Sequence, residues 1–428
     1  MRHVIIGTGP AGVIAAEHIR AADAEAEITL IGQEDESPYS RMAIPYFIEG
    51  KIAPEGTHLR HDPEHFRSRN IVVLRGRRVT SVNPGAHEIT LEGGETMGYD
   101  RLLLATGSSP ALPPVQGVDL PGVTPCWTLA QARGLAERLK DDAHVVLVGA
   151  GFIGTIIMDA IGSRKLKLTV VESETHMTPR MMSRAGGDLM SAWCAGKGVD
   201  VLTETMVSSI SQGGRGLQVA LNNGTTLDAD IVVTATGVRP NIGFLEGSGI
   251  ETAEGILIDE YMRTSAPDVY AAGDVAQGRD YSRDGKAVHA IQPTAAEHAQ
   301  VAARNMMGEQ QEYRGSLIMN VIAVLGMTVY SFGRWEGGEG CEVAEVADAG
   351  KNRYNRLVFE GDYLVGAIHI GAMEQIGVYR GLIQNRYPLG EWKQHLMENP
   401  TRIIEAYLGL TDYGLQIPRL SAAVRPTA

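Results

Sequence analysis

Cysteine is nearly absent: Cys126, Cys194 and Cys341 are the only three in 428 residues. None forms a C-x-x-C or C-x-x-x-x-C pair, which excludes a disulfide framework, an iron–sulfur cluster and a zinc site of the chain's own. Basic residues are outnumbered, 38 Lys and Arg against 51 Asp and Glu, for a net charge of −13. Such a chain is not expected to bind nucleic acid as its main partner. Long hydrophobic runs are missing too: none approaches the roughly 18 apolar residues of a membrane span. A glycine fingerprint begins at Val4, leaving no room for a cleavable signal, so a cytoplasmic protein without membrane contact is expected.

What the sequence has instead is glycine, in two matching places. VIIGTGPAG carries Gly7, Gly9 and Gly12, and VVLVGAGFIG carries Gly149, Gly151 and Gly154. Each follows a short apolar run, opens an apolar-periodic stretch, and meets a second run, ITLIG at 28–32 and LTVVE at 168–172. This is the strand–turn–helix–strand unit that seats a pyrophosphate on a helix N-terminus. One glycine permits the tight turn, one lets backbone N–H groups approach phosphate, and one lets helix and strand pack closely. The duplication continues in LLLATGSSP and IVVTATGVRP, two buried strands ending in Ala-Thr-Gly, at Ala105–Thr106–Gly107 and 235–237, the second closing on Gly237. Two related halves explain this better than four coincidences.

These motifs, with YDRLLLATGSSP at 99–110 and TSAPDVYAAGDVA at 264–276, resemble the two-dinucleotide-binding-domain flavoproteins of the pyridine nucleotide-disulfide oxidoreductase superfamily. The resemblance covers roughly residues 1–312 and is closest in type to NADH:rubredoxin and ferredoxin reductases. It implies an α/β fold: a FAD domain of residues 1–112 and 242–312, split by an NAD(H) domain at 113–241, then a C-terminal α+β interface domain at 313–428. It also implies the cofactors FAD and NAD(H). FAD falls to Gly7, Gly9, Pro10, Ala11, Gly12, the ATG segment, Gly273 and Asp274, the last on the ribityl chain. NAD(H) falls to Gly149, Gly151, Phe152, Ile153, Gly154 and Gly237. A helix is expected from Gln292, stopped by Gly308, with Gln292, Pro293 and Thr294 beside the flavin ring. RLVFEGDYLVGAIHI reads as a hairpin turning near Gly361–Asp362, followed by helical patterns from about 372 to 410.

Departures from the relatives' pattern carry more information than matches. Where the thiol branch has its cysteine, SRMAIPYFIEG has Met42, so no mixed disulfide or sulfenic acid can form there. PYSR matches the P-Y-x-R of the ferredoxin and rubredoxin reductases and puts Arg41 near the flavin or its phosphates. That branch then carries a Lys near the flavin and a Glu after the second fingerprint; here Tyr46 and Ile156 stand instead. Losing both avoids a buried unpaired charge. Tyr46 and Gln292 are therefore the expected catalytic contacts, with an ordinary buried tyrosine as the alternative for Tyr46.

Glu172, ending the second strand of the NAD half, is expected to accept a ribose 2′-hydroxyl and repel a 2′-phosphate, favouring NADH. Arg164, Lys165 and Arg180 lie close enough in sequence to oppose this. In the FAD half the matching position is Gly32, so the ribose passes to Glu34 or Asp35. His58, His61 and His65 read as an exposed turn rather than a metal site. Six arginines from Arg60 to Arg78 suggest either a docking patch for an acidic electron carrier or a solvated face.

Without a cysteine relay, electrons must leave the chain. The leading expectation is a FAD-dependent oxidoreductase linking NAD(H) to an iron–sulfur or rubredoxin-type protein. It would work as a homodimer or a hetero-oligomer, and as a subunit of a larger complex by analogy with aldehyde oxidoreductases. A soluble NADH oxidase using oxygen, and an assembly or sensor flavoprotein with a decayed NAD site, are the alternatives.

Overall fold

The computed structural model describes the chain except residues 215, 284, 372–375 and 413–428, so the start of the helical stretch expected from 372 and the end of the C-terminal domain lie outside the described residues. Two parallel sheets of five strands dominate. The first has the order Val269–Ala271, Arg101–Leu104, Arg2–Ile6, Glu27–Ile31, Ile71–Leu74; the second has Val199–Leu202, Lys167–Val171, His144–Val148, Ile231–Thr234, Val123–Pro125. Continuous apolar runs such as RLLL and HVVLV suit strands covered on both faces, and Leu102, Leu103, Val146 and Leu147 are wholly buried.

In each sheet the first fingerprint strand lies centrally and leads through its glycine loop into a helix, Pro10–Ala22 or Phe152–Gly162. Each half also carries a three-stranded antiparallel ribbon, Val79–Asn83 to Thr96–Gly98 and Val207–Gly213 to Thr226–Ala229. The chain crosses between halves at a two-stranded antiparallel ribbon that pairs Ser108–Pro110 with Val238–Pro240, so both crossings are tied at one place. The helix Gln292–Met306 returns across the first half and packs against Pro10–Ala22; Gly308, with φ +90°, follows its end.

The third unit is a five-stranded antiparallel sheet in the order Met319–Val324, Met327–Gly333, Tyr363–Ile370, Arg353–Glu360, Cys341–Asp348, with helices Gly377–Asn385, Glu391–Glu398 and Ile403–Asp412. The expected hairpin is there, closed by Gly361–Asp362, and Gly361 has φ +58°. The edge strand Met319–Val324 packs on the helix Phe152–Gly162, joining this unit to the second half. No helix among the described residues is long and apolar enough to cross a membrane.

Candidate functional site

One cavity of about 1150 Å³ runs between the two glycine loops, and Gly7, Gly9, Gly149 and Gly151 all line it. The glycines of each motif divide their work as their geometry demands. A Cβ on Gly7 would lie 2.0 Å from the Ala105 carbonyl oxygen, and one on Gly12 would lie 1.9 Å from the Gly7 oxygen. Gly149 and Gly154 repeat these contacts at 2.5 and 2.0 Å. A Cβ on Gly9 or Gly151 would meet nothing within 4 Å. The middle glycines are thus required by no neighbour in the protein; they keep a space open at a helix N-terminus. Neither helix has a side-chain cap there, whereas Thr128 caps the helix Leu129–Arg138 with a full capping box. Two uncapped, dipole-positive helix ends opening into one cavity fit two pyrophosphates.

Around the first cradle, Pro10, Ala11, Glu34, Arg41, Ala105, Thr106, Gly107, Gly273, Asp274 and Gln292 also line the cavity, and around the second Phe152, Ile153, Glu172 and Gly237 do. Asp274 accepts a hydrogen bond from the Ser108 hydroxyl at 3.2 Å. Burial raises its carboxyl above the usual Asp range, opposed by that bond and by Arg41. Arg41 lies between the Tyr39 and Trp127 rings, at 5.5 and 5.4 Å from their centroids, and donates to Glu34 at 2.9 Å. The Tyr39 hydroxyl donates to the other Glu34 oxygen at 2.7 Å; burial raises its pKa, so it stays a phenol. Ser40 donates to the Gln292 side-chain oxygen at 2.6 Å, clasping the 39–41 segment to the start of the long helix. Tyr39, Ser40, Ser108 and Trp127 carry no motif of their own; only their position beside PYSR and the ATG strand could have singled them out.

Several expected residues lie elsewhere. Gly12 and Gly154 sit behind their loops in the helix–strand contact. Pro293 and Thr294 turn away from the cavity into a small hollow shared with Glu297, Leu317 and Arg380. Tyr46 is 52% exposed, with the Lys51 ammonium 5.9 Å from its ring centroid, and does not line the cavity. The reason is local: residues 44–48 form a short helix whose Ile44 and Ile48 are buried one turn apart, which aims residue 46 outward and leaves Pro45 at the cavity. Met42 and Ile156 do line it, as apolar walls. Asp35 is exposed and faces Arg75, leaving Glu34 as the acid at the first cradle.

Glu172 is buried, and its work is partly internal. One carboxylate oxygen accepts from the Ala150 N–H at 2.6 Å, and the other from the Glu174 N–H at 2.9 Å and the Ser173 hydroxyl at 3.3 Å. A carboxylate has about four lone-pair sites, so one remains for a ribose hydroxyl. Of the three opposing cations only Arg180 reaches the cavity lining; Arg164 is spent on the Ile48 and Leu139 carbonyls. Replacing Glu172 by Ala therefore orphans two loop N–H groups. We expect about a tenfold rise in the NADH dissociation constant with FAD content unchanged, read by anaerobic titration of the flavin; an unchanged constant would remove Glu172 from the loop's support.

Four of the six arginines in the 60–78 stretch stand within ion-pair distance of a carboxylate. Arg60 pairs with Glu17, Arg67 with Glu64, Arg75 with Asp35 and Arg77 with Glu95. His65 bonds Glu17 at 2.7 Å, and no metal-holding group of His, Cys, Asp and Glu occurs among the described residues. The three cysteines are free thiols; burial pushes Cys126, the one at the cavity, up to about 12.

The duplicated cradle, the split first domain and the tied crossover are one architecture, and the pyridine nucleotide-disulphide oxidoreductase family model matches residues 1–305. The chain belongs to this family. Such oxidoreductases bind FAD and NAD(H), and the cradles here fit both. The last unit matches the rubredoxin NAD+ reductase C-terminal domain over residues 319–387. The oxidoreductase is 32% identical to the NADH-dependent phenylglyoxylate dehydrogenase subunit epsilon of Aromatoleum evansii, over 94% of this chain and 96% of that one. It is 33% identical to an NADH oxidase of Methanocaldococcus jannaschii, over 73% and 71%. Its fold is that of the reductase in a putidaredoxin reductase–putidaredoxin complex, with TM-score 0.85 at 24% identity, covering 96% of this chain and 99% of that one.

Proposed function

We propose that this oxidoreductase is the NAD(H)-linked flavoprotein component of a redox complex, exchanging electrons between NAD(H) and an iron–sulfur or rubredoxin-type partner in the cytoplasm as part of a hetero-oligomer. The observation that carries the reading is a cavity lined by two uncapped glycine cradles and, among the described residues, by no pair of thiols. Met42 stands where a reactive thiol would, and Cys126 is buried, protonated and unpaired with another sulfur. The subunit from Aromatoleum evansii, matched over nearly its full length, supports the subunit role.

In this reading residues 1–112 and 242–312 would hold FAD, the Gly7–Ala11 loop taking its pyrophosphate, Asp274 its ribityl chain and Gln292 its ring. The Gly149–Ile153 loop would hold NAD(H), with Glu172 taking a ribose hydroxyl. FAD, when bound, accepts a hydride as two electrons and can release them singly. The protein would position both ends: Ser40 orients Gln292, Arg41 and Trp127 line the cavity beside the first cradle, and Ile153 and Ile156 line it beside the second.

The test is an anaerobic NADH titration followed by addition of an iron–sulfur protein. We expect full bleaching of the flavin, and NADH-dependent reduction of the iron–sulfur protein at least about tenfold faster than oxygen uptake in air. Fast oxygen uptake with no gain from the carrier would favour the oxidase reading, which the Methanocaldococcus jannaschii relative keeps open. A flavin that NADH leaves oxidised would sink both.

A further inference from the structure

Asn320 breaks the pattern of its own strand. In Met319–Val324 the period of two puts Asn320, Ile322 and Val324 on one face. Ile322 and Val324 are buried in the cluster that includes Ile157, Ala160 and Ile161 of the helix Phe152–Gly162. A polar side chain in phase with them has no packing reason to be there, and such local departures mark functional positions. Asn320 also lines the cavity, the one residue of the C-terminal unit to do so among the described residues.

Its orientation is set from behind. Asn320 stands directly opposite Ser331 in the antiparallel register, and its Nδ2 donates to the Ser331 hydroxyl at 3.3 Å. Ser331 is wholly buried, so this bond satisfies a hydroxyl that water cannot reach. The amide oxygen of Asn320 is then left without a protein donor among the described residues. The helix Phe152–Gly162, on which this strand packs, brings Ile153 and Ile156 to the same cavity, and the short helix 44–48 packed on it brings Pro45 and Ile48.

The nicotinamide of NAD(H) carries one strongly hydrogen-bonding group, a carboxamide, and between the two cradles it would meet these apolar walls. We propose that Asn320 Oδ1 accepts the carboxamide N–H and so fixes the ring's rotation for hydride transfer. Asn320 is thus a positioning and specificity residue contributed by the third unit to a site built by the first two. This rests on the reading that the second cradle takes NAD(H).

The experiment is calorimetric titration of the oxidised, FAD-loaded protein and its Asn320→Ala and Asn320→Asp variants with three probes. These are NAD+, its 3-acetylpyridine analogue, in which a methyl replaces the carboxamide NH2, and ADP-ribose, which lacks the ring. We expect the wild type to prefer NAD+ over the analogue by about tenfold, the share of one hydrogen bond in a desolvated site. Asn320→Ala should erase that preference, losing about tenfold for NAD+ and little for the analogue or ADP-ribose. Asn320→Asp keeps an acceptor and should keep the preference. Equal losses for all three probes would mean that Asn320 only supports the fold, and wild-type affinity of Asn320→Ala for NAD+ would also overturn the inference. A wild type that binds ADP-ribose but shows no preference would overturn the inference alone. One that binds none of the probes would overturn the NAD(H) reading, and the inference with it.

Discussion

Gly151→Val keeps its fold and its flavin and is no longer reduced by NADH. The expectation follows from the open space beside the Gly151 Cα, where an added Cβ meets nothing within 4 Å. Its backbone, at φ −72° and ψ −170°, is extended and open to valine. Loss of a favoured cap residue costs about 1 kcal/mol, a Tm shift of a few degrees. The valine methyls, however, occupy the place where backbone N–H groups would meet the pyrophosphate. NADH affinity should fall by about a hundredfold or more. Gly154→Ala is the contrasting case: its Cβ would lie 2.0 Å from the Gly149 oxygen, so it should unfold the second half instead of emptying it. Flavin content, Tm and anaerobic NADH titration separate the two. A Gly151→Val protein that NADH bleaches at the wild-type midpoint would place the pyrophosphate elsewhere.

Asp274→Ala should be purified largely without FAD. Asp274 faces the cavity, tied by Ser108 and within the field of Arg41, and a carboxylate there accepts charge-assisted hydrogen bonds from a hydroxylated chain. Losing such bonds costs roughly 1.5–3 kcal/mol each, a drop in affinity on the order of ten- to a hundredfold or more. The pH dependence has a definite sign. Burial raises this carboxyl in the flavin-free protein, so its contribution to stability is present below the unfolded pKa and is lost as pH rises through the folded one. Hydroxyl donors from a ribityl chain favour the carboxylate, so binding releases a proton. FAD affinity should therefore decline as pH falls through the raised pKa, and Asp274→Asn should flatten that decline. Fluorimetric FAD titration across the acid range reads both effects. An Asp274→Ala protein that retains full flavin would remove the residue from the site.

How much of this was legible beforehand depends on how locally each feature is encoded. The two cradles were, because a glycine loop after an apolar strand is a contiguous signal whose geometry is set within a few residues. The helix at Gln292 and the hairpin at Gly361–Asp362 were legible for the same reason. Tyr46 was not: whether residue 46 faces the flavin depends on a one-turn helix anchored by Ile44 and Ile48, and five residues leave too short a pattern to phase. The arginine stretch was legible only as charge. Its charge is visible in sequence, but partners such as Glu17 and Glu95 arrive from other elements.

The sequence by itself determined the class: two nucleotide cradles and, at Met42, no thiol where the disulfide-reducing branch carries one. Tertiary structure decided which side chains share the cavity. It joined Gln292 to Ser40, placed Trp127 over Arg41 and turned Glu172 toward its own loop. It also brought Asn320 from the third unit into a gap built by the first two. The physical reason is range. Backbone turns and periodicity are short-range and written in consecutive residues, whereas a cavity wall is the meeting of strands and helices hundreds of residues apart, fixed only by how they pack.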